Sequence, residues 1–175
     1  MTEAAPADPP VDPLVATALG KAGLVWVSVG ETRPQSLWHV WHDGAALVVV
    51  GGGEQPDPVG DATRVRVAVP SKDNRARLVT VLATVDEVRS DDDRWEASVF
   101  ALAAQRLNTS TSVDQGAVWA AGSRVLRLVP DRAWEEGPGT YDDASGAAPV
   151  PSSPATTTTW RPFHLRGRRR KRFRL

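Results

Sequence analysis

Thr63-Arg64-Val65-Arg66-Val67-Ala68-Val69 is the stretch on which the fold turns. Val65, Val67 and Val69 fall on one side of an extended chain, and Arg64 and Arg66 on the other, because strand side chains alternate with a period of two. That pattern predicts a strand with one buried and one wet face. Pro70 to Asn74 reads as a turn. Arg75 to Val88 then continues as a long strand, with Val79, Val81, Ala83 and Val85 on one face and Thr80, Leu82 and Thr84 on the other. The two segments together predict an antiparallel pair at the centre of a sheet.

Working upstream, Leu24 to Val29, Ser36 to His42 and Ala45 to Val50 are three more short runs rich in β-branched and aromatic residues. Asp43-Gly44 lies between the last two and predicts a tight hairpin, since both residues tolerate positive φ. Gly51 to Asp61 is a loop of glycine, proline and acids. Asp12-Pro13 predicts a helix start, with Asp12 as the cap and Pro13 in the first helical position. Leu14 with Ala18 and Val15 with Leu19 form its stripe, and Gly23 stops it. Met1 to Pro10 is rich in alanine and proline and is expected to be disordered. Downstream, Asp91, Asp92 and Asp93 precede a helical run from Arg94 to Leu107, where acids meet the positive end of the helix dipole, and they read as helix caps rather than catalytic carboxylates. Asn108 to Gln115 reads as a polar loop. Ala117 to Ala120 and Arg124 to Val129 read as a last hairpin around Ala121-Gly122, with Pro130 as its stop.

Roughly six strands and two helices therefore lie within residues 12–134. Several strands are apolar on both faces. A closed barrel with a helix or a second subunit against its outside accounts for that, and an open sheet with one wet face does not. Residues 1–11 are expected to be a disordered N-terminus, 135–159 a Gly/Pro/Ser/Thr linker and 160–175 a basic tail.

Composition narrows the chemistry. The 175 residues are 41% hydrophobic, enough for a core, and contain no cysteine, which excludes disulfides and thiolate metal sites. The N-terminus lacks the basic and apolar regions of a signal peptide, and no apolar run approaches the roughly 20 residues that span a bilayer, so a cytoplasmic location is expected. His39 and His42 are three apart on a predicted strand, hence on opposite faces, and are not expected to share a metal. There is no Gly-x-Ser-x-Gly motif. Gly51-Gly52-Gly53 follows a strand, but no Gly-Lys-Ser/Thr comes after it, and Pro56 and Pro58 oppose an immediate helix. It reads as a flexible connection first and a cofactor-contacting loop second. Ser71-Lys72-Asp73-Asn74-Arg75 reads as an ordinary polar turn, with phosphate recognition as the alternative. Trp38, His39 and Trp41 either line a pocket for a planar ring or are half-buried structural residues.

The stretch Arg33-Pro34-Gln35 through Trp38, Trp41 and Asp43-Gly44, the long pair Arg64 to Val69 and Leu78 to Val88, and the closing Val125-Leu126-Arg127-Leu128-Val129-Pro130 resemble the pyridoxamine 5'-phosphate oxidase-like flavin-binding split barrels over about residues 12–134. The resemblance implies a mainly β, α+β fold: a small six-stranded antiparallel split barrel with two flanking helices. It implies a homodimer with a cofactor, usually FMN or else another flavin-like group or haem, at the subunit interface, and an oxidoreductase activity carried by that cofactor. Together with the readings above, the candidate cofactor-binding positions are Arg33, Trp38, His39, Trp41, Gly51, Gly52, Gly53, Lys72 and Arg75. One departure matters. Where the family places Ser and Lys on the flavin phosphate, this chain has Gly51 to Asp57, with Glu54 and Asp57 and no cation. Arg33, Lys72 or Arg75 would have to compensate, or the backbone N–H groups of the glycines would have to form an anion nest.

The zero net charge conceals a split. Residues 161–175 hold seven Arg and one Lys and no acid. The remaining chain keeps 13 of the 21 basic residues against all 21 acids. Arg166, Arg168, Arg169, Arg170, Lys171, Arg172 and Arg174 form a cluster suited to nucleic acid or another anionic surface, or to the chain's own acidic body. This supports a second functional reading: a non-catalytic split-barrel dimer, without cofactor, serving as an interaction module whose tail binds a polyanion.

Overall fold

The computed structural model describes residues 11–106 and 114–141. The chain divides into two units, Met1–Tyr141 and Asp142–Leu175; the second, with residues 142–159 of the expected linker and the basic tail, lies outside the described residues, as do residues 1–10, whereas residues 135–141 are described with the first unit.

Three helices and seven strands follow in the order α1 (Pro13–Lys21), β1 (Leu24–Ser28), β2 (Gln35–Trp38), β3 (Val40–His42), β4 (Ala45–Val50), β5 (Arg64–Pro70), β6 (Arg77–Val88), α2 (Trp95–Gln105), α3 (Gln115–Gly122) and β7 (Arg124–Glu136). All strand pairs are antiparallel, in the spatial order β2-β1-β5-β6-β7-β4-β3. The outermost strands, β2 and β3, are separated in the chain by His39 alone. Consecutive Cα atoms are about 3.8 Å apart, so Trp38 and Val40 lie within about 8 Å of each other. A sheet whose two edges are joined by one residue has to curl until those edges meet, and this one rolls into a half-barrel.

The expected pair of central strands forms with Val67 opposite Val81 and Arg64 opposite Thr84. Val65, Val67, Val69, Val79, Val81 and Ala83 point into the concave side. There they meet Val25, Val27 and Leu37 from β1 and β2, and Val15, Ala18 and Leu19 from α1. Each fully buried Val or Leu contributes about 1.5–3 kcal/mol. Asp12 caps α1 by accepting a hydrogen bond from the Leu14 N–H at 2.7 Å, and Pro13 occupies the first turn. A second cluster lies on the convex side: Val40, Leu47, Val49, Val88 and Val125 covered by Leu102 of α2 and Trp119 of α3. β4 is thus buried throughout, with Ala46, Val48 and Val50 facing in and Leu47 and Val49 facing out.

Four expectations are corrected. The sheet has seven strands rather than roughly six: Ser36 to His42 is two strands on opposite edges, and Ala117 to Ala120 is not a strand. The helix count is three rather than two, because Ala117 to Ala120 is helical. Asp114 caps that helix through the Ala117 N–H at 3.2 Å. Pro130 does not end β7, which runs on to Glu136. The ladder between β6 and β7 shifts register beside Pro130, and a proline without an N–H is tolerated at such an irregularity. Finally, the acids at 91–93 do not cap α2: its N-cap is Arg94, which makes no side-chain cap bond, and Asp92 instead accepts from the Arg94 backbone and guanidinium.

Candidate cofactor site

The loop after β4 is built around three consecutive positive φ angles, 76° at Gly51, 61° at Gly52 and 86° at Gly53. The Gly51 N–H donates to the Gln55 carbonyl and the Glu54 N–H to the Gly51 carbonyl, both at 2.9 Å. Gly52 lies against the C-terminus of α3. A Cβ there would sit 2.4 Å from the Gly122 carbonyl oxygen. The glycine triplet is therefore seated against the negative end of a helix dipole, which disfavours an anion at that point.

The two acids of the loop are paired within the fold. Glu54 accepts two bonds from Arg106 at 2.7 Å and one from the Trp119 indole N–H at 3.0 Å. Burial alone pushes the Glu54 carboxyl up, but the bonds from Arg106 and Trp119 and the Arg106 charge outweigh it, and its pKa is lowered. Their stabilisation is accordingly present above Glu54's ordinary value near 4.5 and is lost as pH falls through the lowered one. Asp57 accepts from the Val59 and Gly60 N–H groups at 3.0 and 3.1 Å, and its other oxygen takes the Arg124 guanidinium at 2.7 Å. Arg106 and Arg124, the cations nearest the loop in these contacts, are both engaged by its acids.

Gln55 is the residue that joins the edges of the half-barrel. Its side-chain oxygen accepts from the Trp38 N–H, and its amide nitrogen donates to the Trp38 carbonyl at 2.9 Å and the Val49 carbonyl at 3.2 Å. One side chain stands where a β2–β4 ladder would otherwise run.

His39, at the joint between β2 and β3, is buried, and its Nε2 lies 3.0 Å from the Leu19 carbonyl oxygen. Next to a carbonyl, Nε2 must be the donor, which leaves Nδ1 as a buried acceptor with no partner. His39 thus links the joint between β2 and β3 to α1. Burial pushes its pKa down, against the opposing pull of the Leu19 bond. Because the folded chain prefers the neutral ring, stability falls as pH drops below the unfolded value near 6.5. Urea midpoints should decline between about pH 7.5 and pH 5.5, and His39→Gln should flatten that decline.

Trp41 packs on the inner core beside Gly20, with its Cδ1 3.7 Å from where a Gly20 Cβ would be. Lys72 and Arg75 sit in the exposed turn between β5 and β6, and Arg75 has φ 61°. Register puts that turn and the glycine loop at opposite ends of β6. Val50 is paired with Arg124 and Val125 with Val88, whereas Pro70 is paired with Arg77. Twelve strand residues span about 35–40 Å, so Lys72 and Arg75 do not reach a group at Gly51–Gly53 of the same chain. Arg33 lies in the exposed loop between β1 and β2.

Trp26 joins the candidate residues only in the folded chain. It is 47% exposed on the convex face, with Leu24 50% exposed on the same strand. Trp38 is directly opposite Leu24, and Ala68 and Ser36 flank Trp26, so these side chains share one face. α2 and α3 cover the neighbouring part of that face and stop at Trp38. Alternation in Leu24 to Val29 is the signal that could have found it, since Val25 and Val27 must point in. Among the described residues no group of three metal-ligating side chains gathers, and no helix is long and apolar enough to cross a membrane.

The rolled seven-stranded sheet and its partly covered convex face define the class of the molecule: an antiparallel half-barrel β protein. No family model and no curated protein matches the chain. Among solved structures it is similar to the heme storage protein HutZ from Vibrio cholerae, with 12% identity over 71% of this chain and 93% of that one and a TM-score of 0.49. It is also similar to a putative 5-nitroimidazole antibiotic resistance protein from Bacteroides thetaiotaomicron (11% identity, 69% and 80% coverage, TM-score 0.48) and to an FAD and heme binding protein from Mycobacterium smegmatis (17%, 87% and 92%, 0.41). Each of these TM-scores is below 0.5, and the half-barrel assignment rests on the strand order and register of this chain alone.

Proposed function

We propose that this chain is a cofactor-binding split barrel that holds a flat ring, a flavin such as FMN or a haem, against the uncovered convex face of β1 and β2, where a second copy of the chain completes the site. The observation that supports it most directly is the exposure of Trp26 beside Leu24 and Trp38. Large apolar side chains grouped on a rigid, uncovered sheet face favour a partner or a planar ligand. The ring side of such a cofactor fits these residues. The phosphate side does not fit the glycine loop, where Glu54 and the Gly122 carbonyl stand. Arg33 is the better candidate for a phosphate: it belongs to the loop joining the two strands that carry Trp26 and Trp38, and it makes no ion pair among the described residues. A bound flavin or haem would supply the redox chemistry; the chain supplies binding, orientation and exclusion of water.

Sedimentation velocity tests the paired-copy part. The expected result is a dimer that Trp26→Asp converts to a folded monomer. A monomer in the unaltered chain would remove the second copy from the proposal.

The pairing of both loop acids with Arg106 and Arg124 also favours the second reading, a barrel that works without phosphate-bearing cofactor as an interaction module. The polyanion partner would then be taken by the tail, Arg166 to Arg174, which lies outside the described residues. Deletion of residues 166–175 should abolish binding to RNA or DNA, and in the full chain that binding should weaken steeply with salt.

A further inference from the structure

A second recessed place lies away from the uncovered β1–β2 face. A cleft of about 850 Å³ runs between the β3–β4 turn at Asp43-Gly44 and β7 around Pro130, with Thr84 of β6 on its wall. That volume is within the range of small-molecule sites, about 300–1,000 Å³. Arg127 lines it and is only 9% exposed.

A guanidinium has five N–H donors, and a buried one normally uses most of them. Among the described residues Arg127 makes one hydrogen bond, from Nη2 to the Asp43 carbonyl at 3.0 Å. Its Nε is buried with no hydrogen-bond partner, 3.8 Å from the Asp86 carboxylate. Its Nη1 is 3.7 Å from the Asp43 carboxylate, which is itself 79% exposed. Asp86 is not waiting for Arg127, because Arg94 already donates to it at 2.5 Å. Of the two acids that line the cleft, Asp131 is held by Arg64 and Asp43 lies beside Arg127 itself. Arg127 therefore has N–H donors on Nη1 and Nη2 to spare at the wall of the cleft, while its Nε is buried. The remaining lining includes Val11, Val129, Pro130 and Ala133, an apolar surface next to that charge.

We propose that this cleft binds a small monocarboxylate, its carboxylate on the Arg127 guanidinium and its apolar body on Val129, Pro130 and Ala133. A carboxylate matches the fork of a guanidinium and bonds it more strongly than a neutral acceptor does. Asp43 and Asp86, both within 4 Å of Arg127, repel every added negative charge, so a monoanion is disfavoured by them less than a phosphate dianion is. This site is independent of the cofactor reading and uses none of its residues.

The test is calorimetric titration of the full chain with benzoate, benzamide and inorganic phosphate. Benzoate should bind, with benzamide and phosphate each weaker by about tenfold or more. Arg127→Gln should lose benzoate by the same factor. Should Arg127→Gln fail to fold, Ala133→Trp, a change at an exposed rim position, fills the cleft while leaving the guanidinium in place, and it should lose benzoate too. The proposal is overturned if benzoate does not bind, if benzamide or phosphate binds as well as benzoate, or if either folded variant binds benzoate as the unaltered chain does.

Discussion

Gly52→Ala should be among the most destabilising alanine substitutions in the described part of the chain. Two independent effects add. The φ of 61° at Gly52 is a left-handed conformation that costs a residue with a Cβ about 1–2 kcal/mol. The Cβ would also stand 2.4 Å from the Gly122 carbonyl oxygen and 2.4 Å from the Ser123 Oγ. The hydroxyl can rotate away, but the carbonyl is backbone at the end of α3 and must move with the helix. Forcing atoms into a packed contact of this kind costs about 1–3 kcal/mol. The total, about 3 kcal/mol, should lower the urea midpoint by about 1.5 M for a slope of about 2 kcal/mol per molar. Gly53→Ala is the control. Its φ of 86° is also positive, but nothing lies within 4 Å of its Cβ, so the loss should be about 1–2 kcal/mol. Equal losses in the two variants would mean that the loop does not lie against α3.

Gln55→Ala should cost about 2–3 kcal/mol, because it leaves the Trp38 N–H, the Trp38 carbonyl and the Val49 carbonyl without their partner at a half-buried seam. The figure is below the sum of three fully buried losses because water reaches part of the seam. The signature is local. The Trp38 amide, protected in the unaltered chain, should exchange with solvent far faster in the variant, while amides of the central β5–β6 pair keep their protection. Gln55→Glu should be no better: it retains an acceptor for the Trp38 N–H but brings a carboxylate oxygen against two carbonyls. An unchanged Trp38 exchange rate in Gln55→Ala would show that the edges are held by something else.

These two residues mark the boundary of what is legible in the sequence. Alternation in Thr63 to Val69 predicts its strand because period two is a local property of the chain. The same holds for Asp12-Pro13 at the start of α1, and for Asp43-Gly44, whose φ angles of 45° and 70° are those of a tight hairpin turn. Ala117 to Ala120 reads as a strand and folds as a helix, because four apolar residues do not distinguish the two by periodicity. Asp114, three residues before Ala117, is the cap signal. Ser36 to His42 has an unbroken strand pattern, and nothing within it marks His39 as the point where the chain passes from one sheet edge to the other. Gln55 has its partner Trp38 17 residues away, and Glu54 has Arg106 52 residues away. Such polar contacts leave no period or motif. Glu54 read alone is a repulsive charge beside a glycine loop; in the fold it ties that loop to α2 and α3. The aromatic face is half legible: Trp38 stands out in the sequence, and Trp26 does not.

The most direct measurement is the visible absorption spectrum of the full chain after gel filtration, taken following incubation with FMN, a deazaflavin or haem, for the unaltered protein and for Trp26→Ala. At least one of the three is expected to co-elute with the unaltered chain at a fixed stoichiometry and to be lost from Trp26→Ala, with haem or a flavin ring retained even when Arg33→Gln weakens FMN. A colourless protein after all three incubations, or a cofactor that binds Trp26→Ala as well as the unaltered chain, would contradict the cofactor reading.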